Sequence, residues 1–188
     1  YISANSMGGF KGICFLEDQT WYDAAYFTDA LTATGKECFN IKMVIENQAM
    51  DTHPPLFYLC MNFICSVFEG KFSKWFGIGL NIFFLLLLEG ALFLLLQHFL
   101  DNQYMSLFLS MVFCCSRLSV NMVLFIRMYV LLMASIVFQL WFHLKLYERM
   151  ETDDDGLPVR RNFKSYLCLG VLTVAGALTH YYFLVYQS

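Results

Sequence analysis

Apolar positions along the chain gather into five blocks separated by short polar breaks. The first covers residues 56–68. It comes after DTHPPLFY begins, where Pro54 and Pro55 suit the first turn of a helix because the N–H groups they lack would be unpaired there anyway. The second, residues 75–96, has 22 residues. At the rise of an α-helix it reaches about 33 Å, enough for one membrane crossing. The third, residues 105–115, is too short for an ordinary crossing and predicts a short or re-entrant helix. The fourth, residues 122–144, has crossing length, and the fifth covers residues 166–186. Ahead of the blocks, residues 1–53 are rich in Gly, Asn, Thr and aromatics and predict a long loop with one or two short helices, for example over residues 21–31. Residues 54–188 then form a transmembrane helical region. The expected fold is an all-α, multi-pass helical bundle with about four full crossings and one short or re-entrant helix.

Composition supports this pattern. The chain is 59% hydrophobic and 14% charged, against about 25% charged for ordinary soluble domains. From Trp75 to Leu144 only Glu89, Asp101, Arg117 and Arg127 carry charge. A soluble enzyme, a disordered tail and a small disulfide scaffold are excluded. A net charge of −3 with no basic stripe argues against a nucleic-acid partner. The bilayer itself is the expected partner. Both ends look cut, so the chain is expected to be a piece of a longer membrane protein.

Basic residues give an orientation, since acids count little in the positive-inside rule. The connection over residues 145–164 carries Lys145, Arg149, Arg160, Arg161 and Lys164 and is expected to be cytoplasmic. The connector with Lys71 and Lys74 is expected on the same side. The break at Asp101 has no Lys or Arg and is expected outside. All three agree only if the third and fourth blocks together make one net crossing. In that arrangement Asp51, His53, Arg127 and His180 gather on the outer face.

Several residues carry candidate chemistry. Asp51 and His53 stand just before a helix start, a natural anion site. There His53 can meet a phosphate, and Asp51 can accept a proton or hold a metal. Without such a ligand they are polar residues in the headgroup zone. Arg127 lies in an apolar run, where it costs about 2.5–3.5 kcal/mol on insertion scales unless it snorkels or meets an anion. Its guanidinium can clamp a phosphate through two oxygens, and Tyr129 supplies a hydroxyl at the same depth. His180, between Thr179 and Tyr181-Tyr182, is another phosphate or sugar contact, or part of an aromatic belt. Glu89 is neutral, paired with Arg117, or lining a cavity. Glu17, Asp18 and Asp23 flank Trp21-Tyr22, an aromatic pair able to stack on a sugar, or they form a solvated acidic loop. Of the seven cysteines, Cys14 and Cys38 lie in the polar part and can pair on an oxidising side. No His/Cys cluster has zinc spacing.

The runs NQAMDTHPPLFYLC, KFSKWFGIGLN, FIRMYVLLM and LTHYYFLVY, in that order and spacing, resemble bacterial membrane glycosyltransferases of the GT-C superfamily. The dolichyl-phosphate-mannose protein mannosyltransferase-like group, glycosyltransferase family 39, is the nearest. The resemblance covers about the whole chain. It implies a polyprenyl-phosphate-linked sugar donor, inverting transfer to an extracytoplasmic acceptor, and no cofactor beyond a possible divalent metal. It implies donor-phosphate binding by His53, Arg127 and His180, with Tyr129 beside Arg127. The family's general base lies in an acidic pair after its first helix. Tyr1-Ile2-Ser3 resembles the family's segment just C-terminal to that pair, so the base is expected upstream of Tyr1, with Asp51 the candidate inside the chain. Neither sugar nor acceptor is encoded legibly. The main alternative is a transporter or flippase subunit using Glu89, Arg117 and Arg127 along a path. Such proteins tend to show interrupted helices and repeats, and the five blocks display neither. A non-enzymatic membrane anchor leaves DTHPP and the long first loop unexplained.

Overall fold

Helix starts are marked by side chains that accept otherwise unpaired backbone N–H groups. Asp23 receives the Ala25 N–H at 3.3 Å, Asn40 that of Met43 at 3.0 Å, Asn102 those of Tyr104 and Met105 at 3.0 and 3.1 Å, and Ser116 that of Ser119 at 3.2 Å. A computed structural model describes residues 1–13, 19–51, 53–152 and 163–187, and every element among them is helical. The chain divides into two compact units, Tyr1–Leu80 and Asn81–Ser188. Cys14, Glu17, Asp18 and the DDDGLP run lie outside the described residues. The expected Cys14–Cys38 pairing and the acidic pair before Trp21 fall with them.

The first unit holds α1 (Ile2–Asn5), α2 (Gly9–Ile13), α3 (Ala24–Leu31), a 3-10 turn at Gly35–Glu37, α4 (Ile41–Ala49), α5 (Leu56–Val67) and the start of α6 (Lys74–Leu100). It is a packed body rather than the expected long loop. Asparagines that read as loop formers are its internal ties. Asn5 donates to Leu31 O at 2.9 Å, and Asn47 to Ser3 O and Ser6 O at 3.2 and 2.9 Å. Asn62 donates to Ala4 O and Glu37 O at 2.9 and 3.1 Å. Each amide satisfies a carbonyl that the short helices leave open. Gly9, at φ +58°, faces Asn47 where an added Cβ would come within 3.1 Å, so backbone conformation and space both call for glycine.

The first apolar block forms α5, but not as a separate crossing. Twelve residues reach only about 18 Å of a hydrocarbon core about 30 Å thick. Its far end is bound back to the first 53 residues. Phe39 N–H donates to Ser66 Oγ at 2.7 Å, Gly35 N–H to Glu69 Oε1 at 2.8 Å, and Gly70 N–H to Ala33 O at 3.1 Å. The connector after α5 therefore belongs with the N-terminal segment instead of lying across a membrane from it. Pro55 is the residue before the helix, with Leu56 opening it.

In the second unit, α6 continues and leads to α7 (Gln103–Cys114), α8 (Arg117–Leu124), α9 (Tyr129–Thr152), α10 (Phe163–Ala177) and α11 (Tyr182–Gln187). Among the described residues, two helices are long and apolar enough to cross a membrane, α6 and α9. The bent pair α7 and α8, at 53° to each other, makes a third if it counts as one span. The bend falls at Ser116, which caps α8, while Ser119 Oγ donates to Phe113 O at 2.6 Å and fastens the two helices. Among the described residues the expected count of about four full crossings is not reached on length and composition, because α5 and the described part of α10 are short.

The fourth and fifth blocks are also not continuous helices. The fourth is broken at residues 125–128 and the fifth at residues 178–181. The interrupted helices that the sequence did not display are thus present. Glu89 and Arg117 form no ion pair, and among the described residues neither Glu89 carboxylate oxygen, both buried, has a hydrogen-bond partner.

Hydrogen-bonding partners set the directions of these helices. Asn81 near the start of the α6 portion meets the end of α8, and His98 near the α6 end lies 3.2 Å from Glu148 near the α9 end. The spacing is about 26 Å along α6 and about 29 Å along α9, so the two run parallel. The break at Asp101 and the connection leaving α9 are consequently at one end, and Lys74, which opens α6, is at the other. This overturns the arrangement in which one net crossing separates Asp101 from residues 145–164. The bent α7–α8 pair returns the chain, and α9 crosses again. Helix α10 runs back along α9, with Gln139 Nε2 donating to Thr173 Oγ1 at 2.9 Å.

Candidate functional site

The two helix breaks meet. Residues 125–128 separate α8 from α9, and residues 178–181 separate α10 from α11. Tyr129, the first residue of α9, places its ring 5.9 Å from that of His180. His180 stacks on Tyr182 at 4.6 Å, and Tyr129 stacks on Phe125 at 6.0 Å with the ring planes 7° apart. The Arg127 guanidinium lies 5.5 Å from the Phe125 ring centre, within cation–π range. The result is a continuous row from Arg127 through Phe125, Tyr129 and His180 to Tyr182.

Each member is held by local structure. Asn81 is fully buried, and its amide donates to Val123 O at 3.1 Å, Phe125 O at 3.3 Å and Met122 O at 3.5 Å. These carbonyls belong to the end of α8, where no further turn of helix supplies donors. Met128 is fully buried and anchors the far side of the break. At the second break, Thr179 Oγ donates back to Ala175 O at 2.9 Å, and Tyr182 N–H donates to His180 Nδ1 at 3.1 Å. Since Nδ1 accepts, a neutral His180 ring carries its proton on Nε2. The chain doubles back here because Gly176 lets the buried Phe183 ring lie against its Cα.

Arg127 is exposed and has no carboxylate within ion-pair distance among the described residues. A guanidinium beside an apolar surface, without a counter-ion, is a ready receptor for an anion. Next to it is an open cavity of about 720 Å³ lined by Asn121, Met122, Leu124, Phe125, Tyr129 and Leu132, together with Met133. The lining is almost wholly apolar. A cation at the rim of an apolar trough suits a molecule with an anionic head and a hydrocarbon tail.

No family model, curated protein or solved structure matches this chain.

Of the residues expected in the site, Arg127, Tyr129 and His180 are brought together. Asp51 and His53 lie in the first unit, where Asp51 Oδ1 and His53 Nδ1 are 3.4 Å apart. Their pairing gives the imidazole a carboxylate neighbour ahead of α5. Asp23 caps α3, while Trp21 beside it is almost fully exposed. Among the described residues no group of three or more His, Cys, Asp or Glu side chains is arranged to hold a metal ion.

Sequence reasoning missed Asn81 and Phe125. Asn81 is a lone amide near the start of a long apolar run, and that isolation was a usable sign, because a buried amide needs partners. Phe125 carried no sign of its own, since its role depends on a helix break that no Pro or Gly marks.

Proposed function

We propose that this chain is part of a membrane glycosyltransferase that takes its sugar from a polyprenyl-phosphate-linked donor. The observation that carries the reading is Arg127, an uncompensated guanidinium at a helix break, set beside an apolar cavity. The lipid phosphate meets Arg127, with the Tyr129 hydroxyl and the His180 ring on the same row. The prenyl chain lies along the cavity walls formed by Phe125, Leu124 and Leu132. As the sugar leaves, negative charge grows on the phosphate, and a fixed cation with neighbouring donors favours that change. Transfer also needs a base for the acceptor hydroxyl. Asp51 is the candidate within these residues, and a role for His53 in donor binding rests on the family resemblance.

The site is extracytoplasmic in this reading. Lys145 and Arg149 lie toward the far end of α9 from Arg127, Lys164 lies in the first turn of α10, and basic ends stay inside.

The helix breaks favour one second reading, a carrier or flippase for the same class of lipid. Broken helices are how transporters build ligand sites within the membrane. The test supplies radiolabelled polyprenyl-phosphate sugar to sealed vesicles containing the full-length protein. Label appearing on an acceptor, and lost in Arg127→Ala, supports the transferase. Label that only changes leaflet supports the carrier, and no response of either kind to Arg127→Ala removes Arg127 from the site.

A further inference from the structure

Helix α5 presents a physical contradiction if it is surrounded by water. Its sequence, LFYLCMNFICSV, has no charged residue. One side packs inward through Phe57, Met61 and Cys65, all buried. The other side is just as apolar and is exposed: Phe63 is 60% and Val67 56% accessible. A helix that is apolar all round is normally covered all round, and α5 is too short to be a crossing.

The exposed side of α5 continues onto its neighbours. Phe39 meets Phe63 ring to ring at 5.6 Å. Beyond Phe39, α4 presents Ile41 and Ile45, four residues apart and so on one face, the first 62% accessible. At the C-terminal end of α5, the Phe68 ring stacks on Phe76 at 4.8 Å and 15°. Phe76 lies in the first turn of α6, a candidate membrane span, next to the exposed Trp75, over which Lys74 extends at 5.8 Å. An aromatic pair with a lysine at a span entrance is the usual composition of the bilayer interface. Exposed apolar residues therefore follow one another from Ile41 and Ile45 of α4 through Phe63 and Val67 of α5 to the start of α6, a candidate membrane span.

We propose that residues 39–76 form a bilayer-contact face, and that α4 and α5 lie in the headgroup–acyl boundary with Ile41, Ile45, Phe63 and Val67 directed into the lipid. The first unit is then an interfacial body instead of a water-borne loop. The bilayer is the occupant because the face is continuous with a helix that must itself be lipid-covered. Burial of apolar surface at that depth supplies the attachment, and Lys71, on the connector between α5 and α6, and Lys74, which opens α6, are placed to meet anionic headgroups. This attachment does not depend on the donor or on the reaction.

The test uses the full-length protein in vesicles made with brominated phospholipids. Tryptophan is added singly as Ile45→Trp or Phe63→Trp, with Tyr26→Trp on α3 as an off-face control and Phe83→Trp on α6 as a deep control. Bromines high on the acyl chain should remove most of the emission added at residues 45 and 63 and little of that at residue 26. Bromines near the bilayer centre should act on residue 83 instead. Unquenched emission at residues 45 and 63 would overturn the proposal. So would blue-shifted but unquenched emission, which means a protein surface, a second copy included, covers the face. Carbene photolabelling from the lipid phase, on the unsubstituted protein, reads the same face without a variant. Label on peptides containing residues 39–45 and 63–68 is expected, and its absence there with strong label on α6 would also overturn it.

Discussion

Asn81 can be removed with a calculable effect. Its amide is fully buried and makes two good hydrogen bonds, to Val123 O at 3.1 Å and Phe125 O at 3.3 Å, and a long one to Met122 O. Two buried bonds at about 0.5–1.5 kcal/mol each give about 1–3 kcal/mol. Asn81→Ala should lose that amount, since both carbonyls lose the donor that satisfies them. Asn81→Asp should lose more, because a carboxylate of similar shape faces three carbonyl oxygens with no proton to share. The assay is reversible unfolding of the purified protein in mixed micelles on titration with a denaturing detergent. Cysteine accessibility at Ile126 provides a local readout, and both variants should expose this position more than the parent does. An Asn81→Asp protein as stable as the parent, or an Asn81→Ala loss below about 0.5 kcal/mol, would show that the break is not held in this way.

Other contacts give further expected outcomes. Gly176→Ala puts a methyl into the Phe183 ring and should cost about 1–3 kcal/mol in the same unfolding assay, with part of the loss restored by adding Phe183→Leu. Burial pushes the Cys38 thiol up, and the nearby Glu69 carboxylate raises it further by disfavouring the thiolate. Alkylation of Cys38 at neutral pH should therefore be slow and should speed up in Glu69→Gln, where one negative charge is gone. Cysteines placed at Asp101 and Asp154 should react with an impermeant reagent from the same side of a sealed vesicle. Labelling from opposite sides would contradict parallel α6 and α9.

The long apolar blocks made the membrane-spanning character legible, because hydropathy alone decides which helices are long enough to cross. Helix starts at Asn102 and Ser116 were legible in kind, as short polar residues ahead of apolar runs. The breaks inside the fourth and fifth blocks were not. Nothing in FIRM forbids helix; the interruption is stabilised from another element, by Asn81. Helix direction was misread for a related reason. Charge counts treat each connection alone, whereas the His98–Glu148 contact couples the Asp101 break to the connection after α9. The N-terminal unit was hidden because its Asn residues read as loop formers, and their buried role appears only when distant carbonyls come within reach. Arg127, Tyr129 and His180 were singled out as polar chemistry in apolar surroundings, and the structure places their side chains along one row. Their meeting required both breaks.

The proposed function rests on Arg127 binding a lipid phosphate through two oxygens at once, and donor affinity reports on that contact with no intervening step. Binding of a polyprenyl-phosphate sugar to the parent, Arg127→Lys and Arg127→Ala proteins in lipid nanodiscs should be compared at matched protein insertion. A guanidinium clamp predicts that lysine binds nearly as poorly as alanine, at least about tenfold weaker than the parent, because an ammonium keeps the charge but loses the planar fork. A lysine variant that binds like the parent would contradict the clamp and return Arg127 to a snorkelling side chain at a helix end.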